Sequence, residues 1–270
     1  MWDPDGKIPE RMGTLMCVKG LLIDLDGVIY VGDTPIDGAR NAIAFLVQND
    51  IPFRFLSNTT RKSRRTIAGK LAAMGFEIPE EHIFTPPLAA IAHMRKTGRN
   101  RYHLLTTGDV DQDFNDIGLN DGTGLVDYVI LGDAGDAVTY NSLNRAFRQL
   151  MGGAELIALE RDRYWLSGDG LALSAGPFVT ALEFATGKKA TVVGKPSRAF
   201  FELALQEIGL HRDQVAMIGD DIVTDIEGAQ AAGIRGILVR TGKFREQDLT
   251  PGGIIPWKTI DSIAGIKEIL

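Results

Sequence analysis

Short apolar runs alternate with helically spaced segments towards both ends of this 270-residue chain, and that alternation leaves few folds open. Leu21-Leu22-Ile23 is followed by Gly38–Asn49, where Ala39, Ala42, Ile43, Leu46 and Val47 fall on one helical face. Phe53–Leu56 reads as the next strand, and Ser63–Met74 as the next helix, closed by Gly75. Strand, helix, strand, helix predicts parallel strands joined by right-handed crossovers, an α/β fold. The same rhythm runs through Thr191–Val193, a helix over Ser197–Ile208, Val215–Ile218, a helix over Thr224–Ala232, and Ile237–Val239. Between the two stretches, Thr85-Pro86-Pro87 marks a break. Beyond it lie strands at Tyr102–Leu105, Tyr128–Leu131, Leu156–Leu159 and Tyr164–Leu166, with helices near Leu88–Lys96, Asn141–Met151 and Pro177–Ala185. We read residues 1–85 and 188–270 as two parts of one core sheet, and 86–187 as an inserted α/β domain.

Composition limits what such a fold can do. A net charge of −6 and a pI near 5.3 argue against a nucleic-acid footprint spread over the surface. The one basic cluster, Arg61-Lys62-Ser63-Arg64-Arg65, suits a solvated first turn of a helix. A single cysteine, Cys17, forms no internal disulfide and suits a reducing compartment. Met1–Gly13 is polar and carries no secretory apolar core, and no run reaches the ~18 apolar residues that span a bilayer. A cytoplasmic protein with no membrane partner is expected.

The chemistry gathers at the strand ends. Asp24 and Asp26 follow the first apolar run, with Gly27 permitting a sharp turn. Ser57 and Asn58 follow the second. Lys195 sits in Gly194-Lys195-Pro196, and Gly219-Asp220-Asp221 with Asp225 follows Val215–Ile218. In a parallel sheet all these ends share one edge, the usual place for a ligand crevice. Crowded carboxylates raise one another's pKa and destabilise a fold. They do suit Mg²⁺, which takes oxygen ligands and commonly also holds phosphate. A carboxylate approaching a phosphate meets about 4 kcal/mol of repulsion per charge pair at ~4 Å and an effective dielectric near 20. Lys195 and a divalent cation would cancel most of it, and Ser57 with nearby N–H groups can hold phosphate oxygens. Singly, Gly-Lys-Pro reads as a turn and Gly-Asp-Asp as a helix cap. Their order after successive apolar strands makes a shared site the better account.

Together these segments resemble the four motifs of the haloacid dehalogenase superfamily. Asp24-Leu25-Asp26-Gly27-Val28 is similar to the first, Ser57-Asn58 to the second, Lys195 to the third, and Gly219-Asp220-Asp221 with Asp225 to the fourth. The insertion is similar to the cap of the NagD-like branch. The runs Gly176–Thr186 and Ala190–Pro196 resemble its "hydrolase domain-containing" members and the phospholysine/phosphohistidine/pyrophosphate phosphatases. The resemblance implies a Rossmann-like parallel-sheet core with an inserted, mobile α/β cap. It implies Asp24 as nucleophile and Asp26 as acid and base. Mg²⁺ would be held by Asp24, the Asp26 carbonyl and Asp220. Ser57, Asn58 and Lys195 would bind the phosphoryl group, and Asp221 or Asp225 would orient metal-bound water or Lys195.

The implied activity is hydrolysis of a small phosphorylated metabolite. A phosphotransferase or mutase using the same intermediate, or an interaction protein on the same scaffold, are the alternatives. The last should have lost a motif residue, and this chain has lost none. The resemblance also implies a homodimer formed through the cap, which carries Arg163, Tyr164, Trp165 and a Gly168-Asp169-Gly170 turn. Nothing in the sequence says which of them face a cleft. His82, His93, His103 and His211 show no metal-ligand spacing.

Overall fold

The computed structural model describes residues 17–117, 124–168, 170–249 and 252–270. Met1–Gly13 and Asp169, named above, lie outside them. Six parallel strands form one sheet in the order Lys258–Ile260, Arg235–Val239, Val215–Gly219, Gly20–Asp24, Phe53–Leu56, Ile83–Phe84. The strand that ends in Asp24 lies at its centre. Leu21 and Ile23 pack into one apolar layer and Leu22 into the other, so the strand is buried on both faces as its uninterrupted apolar run requires.

Helices Ala39–Gln48 and Arg64–Ala73 follow the spacing of their apolar residues. Ser63 caps the second of these, its Oγ accepting from Thr66 N at 3.3 Å. Gly75 takes φ +83° just beyond it, a conformation costly for any residue with a Cβ.

A second parallel sheet runs Thr191–Val192, Glu155–Ala158, Tyr128–Leu131, Tyr102–Leu105. This corrects the placing of Thr191–Val193. The strand does not return to the core sheet but pairs Thr191 with Ile157 and Val192 with Ala158. A run this short carries no signal of which sheet will take it, and the inserted sheet therefore continues past residue 187. Tyr164–Ser167 is also separate, pairing with Gly170–Leu173 as an antiparallel hairpin. One apolar cluster joins the two sheets, with Leu22, Leu56 and Met217 from the first and Tyr128, Ile130 and Ile157 from the second. Helices Pro86–Thr97 and Arg198–Ile208 contribute Ala90, Met94, Phe200 and Phe201 to it.

The helix expected over Thr224–Ala232 is a wide π-type turn, Ile222–Glu227, running into Gly228–Ala231. Such widened turns are frequent at functional positions, and here the turn carries Asp225. Among the described residues no helix is long and apolar enough to cross a membrane.

Candidate active site

The central strand delivers Asp24 to the edge of the sheet where its neighbours also end. Lys195 comes from the loop after Thr191–Val192. Its Nζ donates to Asp24 Oδ1 at 2.6 Å and to Asp225 Oδ1 at 2.7 Å. All three side chains are buried, Lys195 being 4% and Asp225 0% exposed. Burial alone would lower the Lys195 pKa, but the Asp225 and Asp24 carboxylates outweigh it, so the ammonium is held charged. Burial lifts Asp24 above its ordinary value despite Lys195. It lifts Asp225 to about 6. Two carboxylates share one ammonium here, and a further positive charge would relieve them.

Asp220 follows the Val215–Gly219 strand and is 1% exposed. Its Oδ2 accepts from Lys243 N at 2.7 Å, whereas Oδ1 is buried with no hydrogen-bond partner. Burial raises its pKa to about 6. Asp24, Asp220 and Asp225 each offer a carboxylate oxygen within 4.8 Å of the others. This donor set, with one orphaned oxygen, fits a hard divalent cation such as Mg²⁺. Two glycines allow Asp220 this position. A Cβ on Gly27, at φ +84°, would stand 1.9 Å from Asp220 Oδ2, and one on Gly242, at φ +63°, 2.0 Å from it.

Not every residue singled out in the sequence takes part in the same way. Asn58 forms a reciprocal pair with the Lys195 backbone: Oδ1 accepts from Lys195 N at 2.8 Å and Nδ2 donates to Lys195 O at 3.1 Å. Its amide therefore positions the lysine loop. Asp225 is the carboxylate that orients Lys195. Asp221 instead accepts from Val223 N and Thr224 N, both at 3.0 Å, and caps the π turn. Burial raises its pKa, but those N–H groups and Lys243 outweigh it and hold the carboxyl below its usual range.

Ser57 and Asp26 line the cleft beside Asp24. The Ser57 loop is tied to the second sheet. Asp133 N donates to Thr60 Oγ1 at 2.9 Å, and Asp109 accepts from Ser63 N and Oγ, each at 2.9 Å. Of the two basic residues after Asn58, Lys62 lines the cleft, while Arg61 lies 3.6 Å from Asp133 and over Trp165.

The cleft itself is about 290 Å³ and is also lined by Tyr30, Lys70, Lys243 and Asp162. Sequence reading passed over these. Lys243 had a usable signal, since Thr241-Gly242-Lys243 follows the Arg235–Val239 strand as the other motifs follow theirs. Tyr30, Lys70 and Asp162 had none, because their approach depends on loop and helix packing.

Fold and site together define an α/β protein whose parallel strands end at a lysine-bridged carboxylate cluster. A model of the family described as haloacid dehalogenase-like hydrolase matches residues 21–120, and a second model, described as HAD-hydrolase-like, matches residues 192–266. Haloacid dehalogenase-like hydrolase domain-containing protein 2 of Bos taurus is 41% identical over 93% of this chain and 95% of its own length. Phospholysine phosphohistidine inorganic pyrophosphate phosphatase of Homo sapiens is 42% identical over 94% of each. Among solved structures, 4-nitrophenylphosphatase from Thermotoga maritima superposes with a TM-score of 0.84 at 28% identity, over 93% of this chain and 97% of that one. NagD from E. coli K-12 shares the fold, with a TM-score of 0.82 at 24% identity over 92% of this chain and 98% of that one. The chain belongs to the haloacid dehalogenase-like hydrolases.

Proposed function

We propose that the protein is a Mg²⁺-dependent phosphatase acting on small phosphorylated metabolites through a phosphorylated Asp24. The observation that carries this reading is Lys195 Nζ held 2.6 Å from Asp24 Oδ1 and braced by Asp225 at the floor of the cleft. The names of the relatives support it, one citing phospholysine, phosphohistidine and pyrophosphate, the other 4-nitrophenyl phosphate. Residues 86–192, which include the last strand of the second sheet, would act as the cap over this cleft.

An Asp24 carboxylate oxygen would attack phosphorus, and the bond to the leaving oxygen would break as Asp26 gives that oxygen its proton. Asp26, now a base, would take a proton from water, which attacks phosphorus and releases phosphate and free Asp24. Lys195 and Ser57 would hold the phosphoryl oxygens through both steps, and Asn58 would keep Lys195 in register. Asp24, Asp220 and the Asp26 main-chain carbonyl would hold Mg²⁺, which when bound neutralises charge on the transferring group.

Phosphate release from p-nitrophenyl phosphate and a panel of phosphoesters and phosphoramidates, with Mg²⁺ or with EDTA, tests the reading. Release is expected only with metal; equal rates in EDTA would overturn the metal's part. Mg²⁺ at about 100 times its Kd should add roughly 2.7 kcal/mol of stability in thermal melts, because only the folded chain gathers these carboxylates. Asp220→Asn should erase that gain, and an unchanged gain would remove Asp220 from the site.

Asp26→Asn separates the two half-reactions. On an alkyl phosphate, whose leaving oxygen needs the proton, a loss of about 10²–10⁴-fold is expected. The loss should be smaller for the first step with p-nitrophenyl phosphate, whose leaving group is stable as an anion. Full activity on the alkyl substrate would sink the acid–base role.

A further inference from the structure

We propose that Asp162 is the specificity-determining residue of this cleft, favouring phosphorylated compounds whose leaving group carries a positive charge and disfavouring those that carry a carboxylate there. The proposal rests on the phosphatase reading above.

The cleft has two chemically different walls. One is the core-sheet edge, with Asp24, Ser57 and Lys195, where a phosphoryl group would sit. The other is reached by the segment Leu159–Asp162, which leaves the C-terminal end of the Glu155–Ala158 strand. That segment is held firmly. Glu160, 4% exposed, accepts from Ser174 Oγ at 2.6 Å and from Ala175 N at 2.7 Å, and also from Asp162 N. The Asp162 carbonyl accepts from Gly176 N at 3.0 Å, and a Cβ on Gly176 would stand only 2.5 Å from that oxygen. The backbone of Asp162 is thus fixed on both sides.

Its carboxylate is not. Among the described residues it forms no hydrogen bond or ion pair, and it lines the cleft within the field of Lys243, Asp221 and Lys195. The neighbouring cations are already engaged. Lys195 lies between Asp24 and Asp225, Lys243 is 3.7 Å from Asp221, and Lys70 is 3.4 Å from Asp33. Lys62 sits on the loop that carries Ser57 and so belongs to the phosphoryl end. The uncommitted charge that the second sheet brings to the cleft is therefore negative. A carboxylate on a fixed backbone attracts an ammonium or imidazolium group and repels another carboxylate. Its effect lies in the ratio between substrates more than in the rate for any one of them.

Phosphoethanolamine and phosphoglycolate form the test pair, since they match in length and differ in the charge of the leaving group. Wild type with Mg²⁺ should show the higher kcat/KM for phosphoethanolamine. In Asp162→Asn the ratio should fall about tenfold, mainly through KM. In Asp162→Lys it should invert, and added NaCl should shrink the wild-type preference. A structural part for Asp162 would lower both substrates alike and leave the ratio and its salt dependence unmoved. That outcome, or a wild-type preference for phosphoglycolate, overturns the proposal. Hydrolysis of p-nitrophenyl phosphate by the same preparations separates the two readings. If it proceeds while the ratio stays fixed, Asp162 alone is eliminated; if wild type releases phosphate from none of the three, the phosphatase reading falls and this one with it.

Discussion

Asp24→Asn is expected to lower phosphate release by roughly 10⁴-fold or more, as loss of a nucleophile does elsewhere. The amide keeps the shape of the side chain but has no anionic oxygen to attack phosphorus. The fold should survive, because Lys195 retains Asp225 at 2.7 Å. Stability without metal should hold or rise, since Asp24 is a buried carboxylate whose charged form burial disfavours. Steady-state phosphate release alongside thermal melts in EDTA checks both parts. Turnover within a hundredfold of wild type would remove Asp24 as nucleophile. A melt that collapses would make the residue structural first.

Lys195→Met carries the other large effect. Methionine fills much of the lysine stem's volume but leaves Asp24 and Asp225 buried, facing each other with no cation. Removing one member of a buried ionic cluster costs roughly 3–5 kcal/mol, because the remaining charges stay desolvated and unpaired. The loss should depend on pH in a defined direction. Without the ammonium, both native carboxylates bind protons more tightly than their unfolded counterparts. Stability of the variant relative to wild type therefore falls as pH rises through the raised native values, and recovers as the carboxylates are protonated. Asp225 starts from about 6 even with Lys195 present, so the useful window opens near there and extends upward. Urea melts at pH 5 and pH 8 in EDTA should show the larger deficit at pH 8. Equal deficits would mean that packing rather than charge sets the cost. Turnover should be lost as well, because the repulsion between Asp24 and the phosphate is then unscreened.

The candidate carboxylates could be picked out in advance because each follows an apolar run, and strand ends on a parallel sheet share an edge whatever the details of packing. Asp24, Asp26, Ser57 and Asp220 obey that rule on the core sheet, whereas Lys195 reaches the same site from the end of a strand of the second sheet. Helix ends were similarly accessible, since Ser63 and Gly75 act through backbone conformation within a turn of their own position. Thr191–Val192 escaped because two β-prone residues suit either sheet, and the choice lies in hydrogen bonds to Glu155–Ala158, far away in the chain. The division of labour within the fourth motif was equally out of reach. Asp221 and Asp225 are both acidic and lie one helical turn apart, yet one caps the turn and the other braces Lys195.

Local sequence therefore determined the α/β class, the burial of the first strand on both faces and the side chains offered at the strand ends, because burial period and strand-end chemistry are properties of a few adjacent residues. Tertiary structure alone decided that Asn58 grips the Lys195 backbone, that Lys243 closes over Asp220, and that Asp162 faces the cleft from the second sheet. Each of those depends on two segments more than twenty residues apart meeting within a few ångströms. A side chain's role there is set by the partner that packing brings to it, and the chain around it carries no trace of that partner.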